Sequence, residues 1–551
     1  MSWSGVGVLR PLPGLGQPGG RRRRLAGWLA GAAAPPRFGL PEDELARLPR
    51  DGAVLVVADR ALGREALRQV LVLLRRARPD LRPAARAPWG DAAAREALAA
   101  GGALLVLSSA RGPRWLPFGA LGAARSEADA LAHLARETEA AVVALHVPRP
   151  RRGDAGPRAL RLGDALSADT LAGLPSDPAR RARLALGGAA LAARAARQEA
   201  TRGRVAPPAP PARAPAPVAA RGDLAWMERE IAALGPAHVL VPHERFVVAA
   251  ARAPEIPALL QEIGRLREIT FRGAGEGTGR ALDLDAWDRG YVHLFAWDRE
   301  ARELAGAYRL GEASRLLSVF GAQGLYTSTL FDYAPGFWER LGPAAELGRS
   351  FVRAEYQRSS GTLLLLWKAI ARWVAAQPEP PVLLGAVSMS ARYGDFARAL
   401  VATALAGEGD PDPEWRALAR LVTPRRPAPR LAARAVPGAA EAAALRGDVA
   451  ALSALVSQAE PDGAPLPVLV REYAKLGGRF LAWNVDPDFG DTLDGLVVVD
   501  LARSAPRLVE FYMGKERAAA FRAARAARPT RGGVDAGFDD EAGRARLRGA
   551  A

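Results

Sequence analysis

The chain has 551 residues, 49% apolar and 25% charged, a balance typical of soluble globular proteins of roughly two to four domains. It contains no cysteine, which excludes disulfides, thiolate chemistry and Cys-ligated metal. The net charge of +17 rests almost wholly on arginine, with lysine only at Lys368, Lys475 and Lys515. This reads as a composition bias and not as a nucleic-acid footprint, while an anionic membrane surface or an acidic carrier protein suits a positive face equally well.

Residues 1–38 are rich in Gly, Pro and Arg and predict a disordered basic N-terminus. Arg21–Arg24 followed by Leu25–Ala30 reads as a basic arm or surface helix, because the apolar part is short, glycine-broken and late for an export signal. No apolar run approaches the ~20 residues of a membrane span. Residues 39–200 alternate short apolar strands (53–58, 103–107, 141–147) with helices (66–76, 127–138), which predicts an α/β layer fold. The Pro/Ala stretch 201–222 predicts a solvated linker.

The second unit spans 223–520, with a Pro/Ala/Arg-rich insertion at 408–450 and a flexible tail at 521–551. Ile256–Ile269 has apolar spacing for a helix, and 291–298 with 303–310 read as an antiparallel hairpin. The glycines at 273, 275, 277 and 279 are no phosphate loop, because no Lys-Ser/Thr follows and a helix precedes them. The organising stretch is Glu346–Arg353, an apolar strand carrying Glu346 and Arg349. It breaks at 357–361 and becomes an amphipathic helix over 362–376. Such a strand, loop and helix start suit an acyl-carrier thioester, since free N–H groups at a helix N-terminus meet phosphate or carbonyl oxygen.

Residues 57–65 (Val-Ala-Asp-Arg-Ala-Leu-Gly-Arg-Glu) follow the first strand and resemble the motif of PlsC-type glycerolipid acyltransferases, whose His–acid pair activates an alcohol. Asp59 stands in place of the His and Glu65 in place of the acid, so the resemblance implies an inactive, degenerate PlsC-like domain. The later glycine-and-basic motif is blurred to 108–115. An Asp is no substitute for imidazole near neutral pH without a large pKa shift. His133 and His146 read as structural.

Leu266–Arg272 (LREITFR), Gly306–Leu310 (GAYRL), Gly324–Thr327 (GLYT), Glu346–Val352, Leu365–Lys368, Leu384–Ser388, Pro467–Gly477 and Asn484–Gly490 occur in one order. Together, over about 240–515, they resemble the GNAT-fold N-acyltransferases of ornithine-lipid synthesis, the hemolysin-like family related to autoinducer synthases. The fold class so implied is α/β in two domains, a PlsC-like unit and then a GNAT-like mixed sheet flanked by helices.

The resemblance further implies acyl transfer from an acyl-carrier-protein (ACP) thioester to an amine, with no bound cofactor and no metal. The pyrophosphate signature Gln/Arg-x-x-Gly-x-Gly/Ala is absent between 353 and 362, which points to acyl-ACP as donor ahead of acyl-CoA. Backbone N–H groups of Phe351, Val352 and Arg353 are expected to face the donor on a strand that splays from its neighbour.

Glu346 is the candidate general base, with Arg349 beside it, or else both belong to an internal ion-pair network with Asp288 and Arg272. Asp285 and Asp288 suit a cationic amino-acid acceptor or a loop cap. Arg272, Arg309 and Arg349 suit a carboxylate, the carrier phosphate or that same network. His293 reads as core or edge filler, and Trp367, Ile370 and Trp373 as core ahead of an acyl tunnel. Tyr473 and Asn484 match the family without an assigned role.

The function expected is N-acylation of an amino acid such as ornithine, or of an aminolipid, in membrane lipid synthesis. It would take place in the cytoplasm, peripherally at the inner membrane face. Lyso-lipid O-acylation and a non-enzymatic membrane scaffold are the alternatives.

Overall fold

The computed structural model describes residues 38–58, 62, 64–84, 92–107, 133–148, 158–167, 169–170, 190–191, 193–194, 197, 215–357, 361–428 and 445–527. In the first unit, strands Val54–Ala58 (β1), Arg82–Pro83 (β2), Ala103–Leu107 (β3), Ala141–His146 (β4) and Arg161–Leu162 (β5) form one sheet in the order β2-β3-β1-β4-β5. All pairs are parallel except β4–β5. Every residue of β1 is buried, as a parallel strand covered on both faces must be.

Helices Arg64–Leu74 (α1) and Ala92–Ala99 (α2) follow β1 and β2. Val54 and Val56 pack with Val70, Leu71 and Leu74 of α1 in one core. On the opposite face of β1, Leu55 and Val57 belong to a core that continues into the second unit.

The segment after the linker is docked. Ala216 and Ala219 donate N–H groups to the carbonyls of Gly279 and Ala281 at 2.8 and 3.0 Å, which corrects the expectation of a solvated stretch for its last residues. The second unit then runs Leu224–Ala233 (α3), Val239–Val241 (β6), Phe246–Arg252 (β7), Pro257–Ala274 (α4), Val292–Asp298 (β8), Glu303–Glu312 (β9), Ala313–Phe320 (α5), Phe331–Tyr333 (β10) and Ala344–Val352 (β11). It continues through Gly361–Ala375 (α6), Val382–Met389 (β12), Asp395–Ala404 (α7), Pro413–Ala419 (α8), Val422–Pro424 (β13), Val449–Ala459 (α9), Val468–Lys475 (α10), Arg479–Asp486 (β14), Thr492–Val499 (β15), Pro506–Met513 (α11) and Lys515–Ala526 (α12).

Eight strands form a mixed sheet in the order β14-β15-β12-β11-β9-β8-β7-β6. Only β11–β12 is parallel. The expected 291–310 hairpin is β8–β9.

One sheet face is covered by α6, whose Leu366, Ile370 and Trp373 join Tyr308, Leu310, Val387 and Val497 in the large core. The other face carries two separate apolar layers. Ile256, Leu259, Ile263 and Leu266, all but the first on α4, cover Ala249, Phe295, Ala307 and Phe351. Phe331, Phe337, Trp415 and Leu418 cover Leu384, Leu496 and Val498.

The stretch 408–428 is therefore no detached insertion: Trp415 and Leu418 are buried, and β13 pairs with β10. Residues 429–444 lie outside the described set. The tail is likewise helical to Ala526, with Phe521 buried.

Candidate active site

The two apolar layers leave a seam across the sheet, and the charged residues occupy it. β11 pairs with β12 only from Ala344 to Leu347, although β12 continues to Met389. Beyond Leu347, β11 follows β9 alone, so a gap opens between β11 and β12. Gly385 marks the last point of contact, where an added Cβ would stand 2.4 Å from the Leu347 carbonyl oxygen.

Just past that point the register of β11 on β9 shifts: Arg309 pairs with Gly348, while Ala307 pairs with Phe351. Arg349 opens the bulge with φ of 49°, a left-handed conformation that a non-glycine residue takes at a cost. The turn aims its guanidinium into the seam, 4.9 Å over the Tyr326 ring and 4.8 Å over Phe489. Its Nε lies 3.6 Å from Asp283 and its Nη2 3.8 Å from Asp285. Asp283 is fully buried, and among the described residues neither of its carboxylate oxygens has a hydrogen-bond partner.

Asp285 and Asp288 are paired with arginines. Buried Arg309 bonds Asp285 at 2.6 Å and pairs with Asp288 at 3.2 Å, and Arg267 bonds Asp288 at 2.8 Å. Burial alone would raise the Asp288 carboxyl, but Arg267 and Arg309 hold it far below the usual carboxylate range. Asp285 and Asp288 also cap each other's backbone in the turn 285–289, so the loop-cap reading and the ion-pair reading both hold for them.

His293 donates Nε2–H to the Asp288 carbonyl at 2.9 Å. Burial, then the Arg267 charge, pushes its pKa down to about 4, so it is neutral core filler.

Glu346 is not in the arginine network. Its Oε1 accepts Thr327 N–H at 2.7 Å, and its Oε2 accepts Tyr326 N–H at 2.9 Å and the Tyr291 hydroxyl. The carboxylate thus fastens the 325–329 turn to the sheet. Arg272 is not in the network either. It sits on α4, bonds Glu268 at 2.7 Å and reaches the carbonyls of Ala216 and Arg280. Glu268 in turn accepts from Thr278 and Gly279, so the glycine-rich piece folds back as a clamped loop.

The proposed backbone donors divide. Arg353 N–H is bonded to the Ala305 carbonyl at 3.0 Å, and its side chain pairs with Glu303. Strand alternation turns the Phe351 N–H toward β9 as well, and of the three only Val352 N–H faces the gap.

Sequence reasoning missed a second group of acids. Asp494 on β15 is buried, bonds Ser388 and the Thr492 hydroxyl, and stands opposite Ser388 and Asn484 in the sheet. Burial, then the Asp486 charge, raises its carboxyl to about 7. Burial, then the Asp494 charge, raises Glu276 to about 7, and Asp486 is also raised, chiefly by burial. Glu276 follows the α4 C-cap Gly275, whose carbonyl oxygen would stand 2.5 Å from a Cβ at Gly490. The available signal was one acid inside the otherwise apolar run Leu493–Val499.

On the opposite sheet face, buried Tyr308 accepts a hydrogen bond from Trp367 Nε1 at 3.2 Å and is also bonded to Ser350 and Tyr473. Tyr473 thus belongs to a polar group of four with Tyr308, Ser350 and Trp367. Asn484 holds the backbone at Arg426.

Asp59 and the 108–115 motif lie outside the described residues, and Glu65 bonds Arg68 and Gln69 of its own helix. No metal-ligand cluster and no membrane-spanning helix is present among the described residues.

Residues 266–368 match the family described as "Acetyltransferase (GNAT) domain". The chain contains a GNAT domain. It holds the gap strand β11, the Arg309 network and the start of α6.

A glycine N(alpha)-acyltransferase of Phocaeicola vulgatus is 35% identical over 184 residues, 31% of this chain and 54% of the relative. Another of the same name from Bacteroides thetaiotaomicron is 38% identical over 160 residues, 27% of this chain and 46% of the relative. An L-ornithine N(alpha)-acyltransferase of Agrobacterium fabrum is 28% identical over 257 residues, 45% of this chain and 78% of the relative. The chain spans about half the length of the first two. No solved structure matches it.

Proposed function

We propose that this protein is an N-acyltransferase that moves a long (3-hydroxy)acyl chain from a thioester donor to the amine of an amino acid. The observation that carries this reading is the gap between β11 and β12 beyond Leu347, bordered by Arg349 and a buried group of carboxyls. A thioester laid along the open edge of β11 meets the Val352 N–H, and α6 begins shortly afterwards at Gly361, offering N-terminal donors to a phosphate. Carboxyls at the seam suit an ammonium-bearing acceptor, and Arg349 suits its carboxylate. The relatives named for glycine and ornithine acylation support an amino-acid acceptor.

Acyl-ACP is the proposed donor, with acyl-CoA second. Membrane lipid synthesis at the cytoplasmic side of the inner membrane is the proposed setting. The first unit is proposed as a PlsC-like scaffold without its own catalysis, and a lyso-lipid assay on the full chain tests that against O-acylation.

The deciding experiment incubates the purified chain with long-chain acyl-ACP or acyl-CoA and a panel including glycine and ornithine, with products read by mass. N-acyl amino acid is expected. No N-acylated product from any pair overturns the reading.

A further inference from the structure

We infer that Asp494 is the group that takes the proton from the acceptor amine, and that Glu346 is a positioning residue. This rests on the N-acyltransferase reading. Glu346 spends both oxygens on Tyr291, Tyr326 and Thr327. Asp285 and Asp288 are held by Arg309, and Asp288 by Arg267 as well. Asp283, whose oxygens have no hydrogen-bond partner among the described residues, faces the Arg349 guanidinium at 3.6 Å, so each of these acids except Glu346 already stands against an arginine.

Asp494 is different. It forms no salt bridge among the described residues, and its polar contacts are the neutral hydroxyls of Ser388 and Thr492. Ser388 lies on β12 three residues past Gly385, in the part of that strand that β11 has left. Asp494 therefore borders the gap on the face that also carries Glu346.

The charged and titratable groups facing it are Asp486 on β14, Glu276 after α4, Arg349 on β11, Arg398 on α7 and Tyr326 in the turn after α5. Two acids and two arginines surround it, so with Asp494 itself three carboxyls face two guanidiniums, which favours a cation in the seam and a protonatable carboxyl when the seam is empty. The raised carboxyl described above agrees, since a base works best near the ambient pH.

The acceptor ammonium gives one proton to the Asp494 carboxylate. The neutral amine adds to the thioester carbonyl carbon, forming the N–C bond. The C–S bond breaks, and the thiolate takes the second proton that the nitrogen sheds. Asp494 returns its proton to water.

The test compares the full-length wild type with Asp494→Asn and Asp486→Asn in kcat, KM and pH profile on the best acceptor. Asp494→Asn is expected to lose about 100-fold or more in kcat with donor KM little changed. Its residual rate should follow only the free-amine fraction. Asp486→Asn removes a neighbouring negative charge and should move the acid limb of kcat/KM to lower pH. Wild-type turnover with Asp494→Asn within threefold of it and the acid limb intact overturns the inference while leaving the proposed function standing. A wild type inactive on every acceptor overturns both. Should Asp494→Asn lack a folded circular-dichroism spectrum, the Asp486→Asn limb decides: a shift supports the inference and an unmoved limb overturns it.

Discussion

The Glu346 carboxylate accepts the backbone N–H of Thr327 at 2.7 Å, and so ties the third residue of a strand to a turn almost twenty positions earlier. Because Tyr326 N–H and the Tyr291 hydroxyl complete its shell, the charge is satisfied without an arginine. Tyr326 carries the ring under Arg349, so the turn that Glu346 holds also builds the seam wall.

Replacing Glu346 by Gln puts an amide N–H against donors. The expected result is a loss of about 2–4 kcal/mol in urea unfolding, because the amide keeps one acceptor oxygen and the N–H of either Thr327 or Tyr326 loses its partner. The pH profile of turnover should keep its shape even as kcat falls, since the proton acceptor is untouched. A variant with unchanged stability and a lost acid limb would restore Glu346 as the base.

Arg309→Met tests the buried network. The guanidinium is the shared partner of Asp285 and Asp288, and all three are buried or nearly so. Its removal leaves uncompensated carboxylate in the interior and should cost about 3–5 kcal/mol. The Asp288 carboxyl is depressed in the folded protein, so its contribution is present above the unfolded carboxylate pKa of about 3.9 and is lost as pH falls below it. The Arg309→Met deficit should therefore begin to shrink in unfolding measured near pH 3.

How far the sequence went is clear from particular residues. Period-two patterning and turn residues located β8, β9 and β11, and the motif order led to the GNAT domain, because strand burial and short motifs are local properties. The partners of the charged residues were not legible. Arg272 and Glu268 are one helical turn apart and pair with each other, whereas Arg309 and Asp285 meet only through the sheet register. Asp494 was hidden because an acid in an apolar strand takes its meaning from neighbours on β12, β14 and the α4 C-cap, far away in sequence.

Asp494→Asn should stabilise the protein at the same time as it slows it. A carboxyl with a folded pKa of about 7 holds a proton that the unfolded chain releases near pH 4, so stability is lost as pH rises between those values. Glu276 acts in the same sense, and neutral His293, depressed to about 4, acts in the opposite one. The asparagine variant should exceed the wild type at pH 8 by up to roughly 4 kcal/mol, the gain fading toward pH 4. Chemical denaturation at pH 4.5, 6 and 8 measures it, and equal stabilities at pH 8 would contradict a raised carboxyl.

Removing residues 1–214 should not release a working GNAT unit. Leu55, Val57 and Leu104 share a core with Phe396 and Leu400 of α7 and with Leu452 and Val456 of α9, and Arg197 pairs with Glu460. Truncation exposes that apolar surface to water, at about 25 cal/mol per Å². Expression of 215–551 should give aggregated protein by size-exclusion chromatography, and a monodisperse, folded product would show that the shared core is dispensable.

Gly385→Ala acts on the opening itself. Strands β11 and β12 touch there for the last time, and an added methyl stands 2.4 Å from the Leu347 carbonyl oxygen, a backbone atom that cannot rotate away. The strands must separate one pair earlier or the sheet must shift, at an expected 1–3 kcal/mol. The gap would then begin beside Glu346 and Leu384, displacing Arg349 from Tyr326 and Phe489. Donor KM should rise along with a fall in Tm, whereas Gly348→Ala, with no atom within 4 Å of the added methyl, should leave Tm nearly unchanged. Equal effects of the two alanines would mean that closeness at Gly385 does not set where the strands part.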